Sequence, residues 1–408
     1  MKKIITDKEK IEQLLSRGVV DCIVRENLKK RLMAGKQLRI KQGIDPTGPK
    51  IHLGRASTMR KLAKFQELGH KVVLIVGDFT AQIGDASDKT KERPMLSSKD
   101  VQENMKNYLP QIGKILDISK VEVRYNSEWL GKLNYFDICK QADNFSIAEL
   151  LDRENFSKRF KEGIRISLRE MLYPLMQGYD SVAVKADIEI GGSDQLFNVF
   201  AGRTLQKAYG QEPQDIITFK LMDGTDGRKM STSWGNIICI TDHPNEIYGK
   251  IMSMRDELIL QYFELATDIP MPELELLSKD LQKNTVNPRD LKMRLGREIV
   301  KLYYNEKAAL EAEKYFKNVF QKKEIPEEIP VLEAGAREYN IVELLVELKL
   351  AASKGEARRL IQQKGVKIGG EVADSSEHIV KIGKDGVLVQ KGKRHFVKVI
   401  YDKQLINY

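Results

Sequence analysis

The sequence predicts an α/β fold on a parallel sheet, followed by an α-helical domain and a small α+β domain. Three observations lead there. In the first third, short apolar runs alternate with helical patterns in strand–helix–strand order. From about Asn245 to Phe320 the pattern is helical throughout, with few β-branched runs and many Glu, Lys and Leu. The charged, two-proline stretch from Gln321 to Pro330 then separates a small C-terminal unit, and 408 residues are too many for one compact core.

Each element has its own grounds. Glu26–Met33 closes an N-terminal helix, and Leu38–Ile44 is a short strand. After the turn Asp45-Pro46-Thr47-Gly48-Pro49, a helix runs from about Leu53 to Leu68 and ends at Gly69. Lys71–Val76 is a buried strand, so the crossover from the first strand implies parallel pairing and a nucleotide-binding architecture. Helices at about Ser98–Leu116 and Ile164–Gly178 flank a strand near Val121–Tyr125. In the C-terminal unit, helices around Ile341–Leu348 and Lys354–Lys364 precede strands at Gly386–Gln390 and His395–Ile400.

Composition narrows the function classes. Apolar residues are 41% and charged residues 31%, the balance of a globular protein. No apolar run approaches the roughly 20 residues of a spanning helix; the strongest is Val72–Val76. The first ten residues lack the apolar stretch of a secretory signal. Three cysteines, Cys22, Cys139 and Cys239, are far apart and without metal-ligand spacing, so neither a disulfide framework nor a zinc site is expected. The cytoplasm is the expected compartment. The net charge is +10, and residues 351–408 hold twelve Lys or Arg against six Asp or Glu, so most of the excess lies at the C-terminal end. That end suits a polyanionic partner.

Two motifs carry phosphate chemistry. In Asp45-Pro46-Thr47-Gly48-Pro49-Lys50-Ile51-His52-Leu53-Gly54-Arg55 a strand ends, a turn follows and a helix begins. Helix N-termini present unpaired N–H groups and a positive dipole end, and Gly54 lets a nucleotide approach the backbone. Arg228-Lys229-Met230-Ser231-Thr232-Ser233 follows a Gly-rich approach and supplies a lysine, hydroxyls and amides for a leaving polyphosphate. A third pattern is Tyr173, Gln177 and Asp180, spaced i, i+4, i+7 on one helix face. On the residues alone, an ordinary surface loop and a solvated polar face remain open for the last two.

Taken together, these motifs resemble those of the class I aminoacyl-tRNA synthetases, and most closely the bacterial tyrosyl-tRNA synthetases, over essentially the whole chain. The family's His-Ile-Gly-His and Lys-Met-Ser-Lys-Ser stand here as His52-Leu53-Gly54-Arg55 and Lys229-Met230-Ser231-Thr232-Ser233. Thr80-Ala81-Gln82-Ile83-Gly84-Asp85, Asn126-Ser127-Glu128-Trp129, Tyr173–Asp180 and Gly191-Gly192-Ser193-Asp194-Gln195 carry it further. The resemblance implies a Rossmann-like catalytic domain with a dimer-forming insertion at 1–225. It implies the motif loop and an α-helical anticodon-binding domain at 226–325, a linker at 326–338 and an S4-like RNA-binding domain at 339–408.

The resemblance also implies roles. Thr47, His52, Lys229, Lys89 and Arg93 would act on the phosphates, with His52, Leu53, Gly54, Arg55, Gly192, Asp194 and Lys229–Ser233 holding ATP. Tyrosine would be held by Thr80, Asp85, Asn126, Tyr173, Gln177, Asp180 and Gln195, with Asp180 accepting the phenolic proton. Mg²⁺ would accompany ATP with no dedicated protein ligands. Lys354, Arg358, Arg359, Lys364, Lys367, Lys393 and Arg394 would contact tRNA(Tyr), with RNA rather than DNA or a membrane as partner, and the chain would be a homodimer. Three positions depart from the family: Arg55 replaces the second motif histidine, Thr232 the second motif lysine, and Lys41 a tyrosine that meets the substrate hydroxyl. An RNA-binding relative without catalysis and a tryptophan enzyme are the competing readings.

Overall fold

The computed structural model describes residues 4–85, 95–321, 330–334, 336–383, 386–392 and 395–401. The chain divides into two compact units, one of Met1–His243 with Lys250–Asn305 and one of Pro244–Gly249 with Glu306–Tyr408. The first therefore takes in most of both domains expected at 1–225 and 226–325.

Six strands form the sheet of the first unit: β1 (Val19–Ile23), β2 (Arg39–Ile44), β3 (Lys71–Val76), β4 (Glu122–Tyr125), β5 (Ile188–Gly192) and β6 (Asp215–Phe219), in the order β1-β6-β5-β2-β3-β4. All neighbours are parallel except β1 with β6. β2 pairs in register with β3 from Arg39↔Lys71 to Ile44↔Val76. β3 is buried on both faces, as parallel strands covered by helices must be. The chain moves outward from β2 through β3 to β4, then crosses back to β5 and β6. The order reverses between β2 and β5, and at such a switch point the carboxyl ends of the strands splay and leave a crevice.

Three helices bring residues to that crevice: α1 (Leu53–Glu67), α2 (Leu168–Val184) and α3 (Leu196–Ala208). α1 and β3 match their expected places closely. α2 differs from the expected 164–178. It starts at Leu168, where the Glu170 carboxylate accepts the Ser167 N–H at 3.0 Å, and runs through Gly178 to Val184. Gly178 stays helical because α3 lies against it: a Cβ there would sit 2.9 Å from the Ala201 carbonyl. The helix expected at 98–116 is broken into Ser98–Met105 and Tyr108–Ile112. Pro110 lacks the N–H that a continuous helix would need at that point.

The second unit contains helices Ile341–Glu347 and Lys354–Gln362, a five-stranded sheet and a two-stranded sheet. Ile341, Leu344, Leu345, Ala357, Val366, Val389 and Val399 form a fully buried core. Val331–Ala334 and Glu338–Asn340 are strands, although the first lies wholly in the expected linker at 326–338 and the second begins at its last residue. The first of them pairs in parallel with His395–Tyr401, from Lys398↔Val331 to Tyr401↔Ala334, which satisfies its backbone groups.

Candidate active site

The ends of β2, β3, β4 and β5 surround a cleft of about 580 Å³. Asp45, the residue after β2, lies at the centre of its polar wall. Its carboxylate accepts from the Thr80 hydroxyl at 2.8 Å and from the Tyr173 hydroxyl at 2.8 Å. Gly77, just after β3, makes this approach possible: a Cβ there would fall 2.1 Å from Asp45 Oδ1. Thr80 Oγ1 in turn accepts from Asn126 Nδ2 at 2.9 Å. Asp180 is buried at 3% exposure, and its carboxylate accepts from Trp129 Nε1 at 2.8 Å and more weakly from Asn126 Nδ2 at 3.4 Å. Burial pushes the Asp180 carboxyl up to about 7, against the pull of the Lys41 ammonium and these two donors. The Tyr173 phenol is likewise pushed up by burial and by the carboxylates of Asp45 and Asp85.

The phosphate side of the cleft is built on the start of α1. His52 is its N-cap residue, and its Nδ1 is buried without a hydrogen-bond partner among the described residues. Burial, with the Arg55 and Lys229 cations nearby, pushes the imidazole down to about 3, so it is neutral at physiological pH. The Arg55 guanidinium donates to Thr47 Oγ1 at 2.6 Å and to the Tyr108 hydroxyl. The Gly54 N–H points at Met230 Sδ at 3.3 Å, so the two sequence motifs meet in space. Lys229 Nζ donates to Asp194 Oδ2 at 2.8 Å, joining the second motif to the turn after β5. Beside that turn, Gln195 Nε2 donates to Asp85 Oδ2 at 2.8 Å. The motif loop is shaped by Asn236, which accepts from the Ser231 N–H at 2.9 Å and donates to Asp226 at 2.8 Å.

Most of the expected site residues therefore line one cleft: Thr47, His52, Gly54, Arg55, Thr80, Asp85, Asn126, Tyr173, Gln177, Asp180, Gly192, Asp194, Gln195 and Lys229–Thr232. Leu53 does not. Its side chain is in the core and its N–H donates to the Ile238 carbonyl at 2.8 Å, so neither is available to a nucleotide. Lys89, Arg93, Lys393 and Arg394, and the Ser233 side chain, lie outside the described residues. In the second unit, Lys354, Arg358, Arg359 and Lys364 are exposed and Lys367 is half-buried.

Sequence reasoning left four contributors out of the site. Asp45 stood in the first motif, and Trp129 in a quoted stretch, but neither was assigned a contact. Glu189 and the Tyr108 hydroxyl had no local signal at all. Lys41 was noted only as a departure, and it proves to be fully buried against Glu189.

Residues 33–321 match the family described as tRNA synthetases class I (W and Y), and residues 321–399 match the Tyrosine--tRNA ligase SYY-like C-terminal domain. The Tyrosine--tRNA ligase of Thermotoga maritima is 48% identical over 396 residues, covering 97% of this chain and 98% of that one. This chain belongs to the tyrosyl-tRNA synthetase family of class I. The Tyrosine--tRNA ligase of Carboxydothermus hydrogenoformans is 47% identical over 401 residues, 96% of this chain and 98% of its own. The fold is also that of a tyrosyl-tRNA synthetase from Archaeoglobus fulgidus solved with L-tyrosine, at TM-score 0.60 and 22% identity over 75% of this chain and all of that one.

Proposed function

We propose that this chain activates tyrosine with ATP, forming tyrosyl-AMP and pyrophosphate, and then transfers the tyrosyl group to the 3′-terminal adenosine of tRNA(Tyr). The observation that carries the reading is one cleft with a buried hydroxyl acceptor, Asp180, and two cations, Arg55 and Lys229, around the neutral His52. A tyrosine carboxylate oxygen attacks the α-phosphorus in line, and the bond from that phosphorus to the bridging oxygen breaks as pyrophosphate leaves. This chemistry asks for positioning and for charge stabilisation rather than for a protein nucleophile.

Asp180 accepts the phenolic O–H, while Tyr173, Gln177 and Asp85 hold the ammonium, with Thr80 and Asn126 bracing them. A pocket that hydrogen-bonds a substrate hydroxyl rejects the analogue without one, because its polar groups would be left unpaired. Thr47, His52 and Lys229 contact the β- and γ-phosphates, joined by Lys89 and Arg93. Gly54, Met230, Ser231, Thr232 and Ser233 cradle the nucleotide, Gly192 and Asp194 hold the ribose, and Gln195 lies near the reacting carboxylate. Among the described residues no three His, Cys, Asp or Glu side chains gather as a metal site, and Mg²⁺ arrives with the triphosphate.

The tRNA docks on the second unit through Lys354, Arg358, Arg359, Lys364 and Lys367, with Lys393 and Arg394, mainly by phosphate contacts. Exposed Tyr135, Phe136, Ile147, Phe160 and Leu168 favour a homodimer formed by the segment between β4 and α2. The enzyme works in the cytoplasm.

Pyrophosphate exchange into ATP with a panel of amino acids tests the reading. Exchange with tyrosine alone is expected. Exchange with tryptophan instead would replace the substrate, and none with any amino acid, in folded protein that still binds tRNA, would leave only an RNA-binding role.

A further inference from the structure

Beneath the wall that carries Asp180 lies a buried ion pair, neither member of which lines the cleft. Lys41 in β2 and Glu189 in β5 are register partners on adjacent central strands, so their side chains leave the same face of the sheet. They form an ion pair of 2.9 Å with side chains 0% and 1% exposed. The ammonium spends its other two donors on α2: the Gln177 carbonyl at 2.9 Å and Ser181 Oγ at 2.8 Å. An ammonium has three N–H groups, and all three are engaged. Glu189 is equally occupied, accepting from Gln177 Nε2 at 3.0 Å, from Ser181 Oγ at 2.9 Å and from Gln214 Nε2.

Lys41 therefore cannot be a substrate ligand. It holds the two ends of one helical turn, Gln177 to Ser181, and Asp180 lies within that turn on the adjoining part of the face. Stability alone is a weak reason for such a pair, since apolar residues of similar volume serve as well or better. We propose that Lys41 is a positioning residue for tyrosine selection: it clamps the Gln177–Ser181 turn and sets a fixed positive charge behind Asp180, so that Asp180 meets the substrate hydroxyl as a carboxylate. This rests on the reading of Asp180 given above and adds the group that makes it usable.

The charged and titratable groups around Asp180 are Lys41 from β2, Glu189 from β5 and Tyr173 on its own helix, with Asp45 behind Tyr173. Lys41 is the cation among them. Removing both charges takes away the larger downward pull of Lys41 and the smaller upward push of Glu189, so burial gains the upper hand and the carboxyl ionises at higher pH.

The test uses the full-length protein with Lys41→Met paired with Glu189→Gln. The pair removes both buried charges together and keeps an amide for Gln177, Ser181 and Gln214, and a cooperative melt checks folding. Expected are a rise of roughly fivefold in tyrosine KM at pH 7 with little change in ATP KM, and an acidic limb of tyrosine KM moved upward by about one pH unit. Lys41→Arg, which keeps the charge, is expected to recover the position of that limb. A folded double variant with unchanged tyrosine KM and an unmoved limb would overturn the proposal. Asp180→Asn in the parent separates the two levels. If it abolishes the limb while the double variant leaves it in place, Lys41 has no such role; if it leaves tyrosine selection intact, the assignment of Asp180 itself is wrong.

Discussion

Asp180→Asn offers a prediction that can be worked through from the structure. With the carboxyl pushed up to about 7, its ionised fraction climbs from about one-tenth at pH 6 to about nine-tenths at pH 8. If Asp180 receives the phenolic O–H as a carboxylate, as proposed, the tyrosine KM of the parent should fall by up to roughly tenfold across that interval. His52, already neutral above about 3, adds no limb of its own. In Asp180→Asn the limb should vanish. Tyrosine KM should be raised about 10- to 100-fold at pH 8, the cost of a lost hydrogen bond to a charged group. Discrimination against phenylalanine should shrink with it.

The same substitution has a stability signature of opposite sign. An aspartate whose folded value lies above 3.8 keeps its proton in the native state while the unfolded chain releases it. Stability is therefore fully present below about 3.8 and is lost as pH rises towards 7. Between pH 5 and pH 8 the ionisation of Asp180 removes about 2 to 3 kcal/mol from the parent. The amide variant has no such loss, although its NH₂ faces the Asn126 amide and costs about 1 to 3 kcal/mol at every pH. Lys61, pushed down to about 7 by burial, titrates in both proteins and cancels. Urea unfolding at pH 5 and pH 8 should show the variant gaining on its parent at the higher pH. A stability difference that is flat with pH, or an acidic limb that survives in the variant, would refute the reasoning.

Three further outcomes are expected. Lys229→Ala should slow pyrophosphate exchange by about 10² to 10³, as loss of an aimed charge does. Its melting point should hardly move, because the ion pair with Asp194 is partly exposed and worth about 0 to 1 kcal/mol. Gly178→Ala should destabilise the first unit by about 1 to 3 kcal/mol in urea, since its Cβ would press on the Ala201 carbonyl and part α2 from α3. Tyrosine KM should rise with it, because α2 carries Tyr173, Gln177 and Asp180. Arg358→Ala with Arg359→Ala should weaken tRNA binding and lower its salt slope by about one per lost phosphate contact. Exchange without tRNA should stay unchanged; an unaltered slope would remove both residues from the docking face.

What could be read in the sequence depended on how local the cause was. β3 and α1 were legible because an apolar run ended by a turn, and a helix begun after Asp-Pro-Thr, need no distant partner to declare themselves. β1 was missed: Val19–Ile23 is mostly half-exposed and becomes a strand by pairing antiparallel to β6 nearly two hundred residues away. Val331–Ala334 sits between charged and proline-rich positions, and its strand identity comes from His395–Tyr401. α2 ran past Gly178 for a related reason. A glycine that looks like a stop is instead where another helix backbone touches.

The site divides the same way. Motifs with their own loop chemistry, His52–Arg55 and Lys229–Thr232, could be found along the chain, and the i, i+4, i+7 face on α2 could be drawn on a wheel. Nothing in Arg39-Ile40-Lys41-Gln42-Gly43-Ile44 says that its lysine is buried, because a polar residue in an alternating strand ordinarily faces water. Here the alternation runs under α2, and the charge is tolerable only because β5 supplies Glu189 at the register position beside it and Ser181 and the Gln177 carbonyl close the remaining valences. That arrangement requires three separate segments at once. The departure at Lys41 therefore looks like a lost substrate contact in one dimension and becomes a support for the remaining one, Asp180, in three.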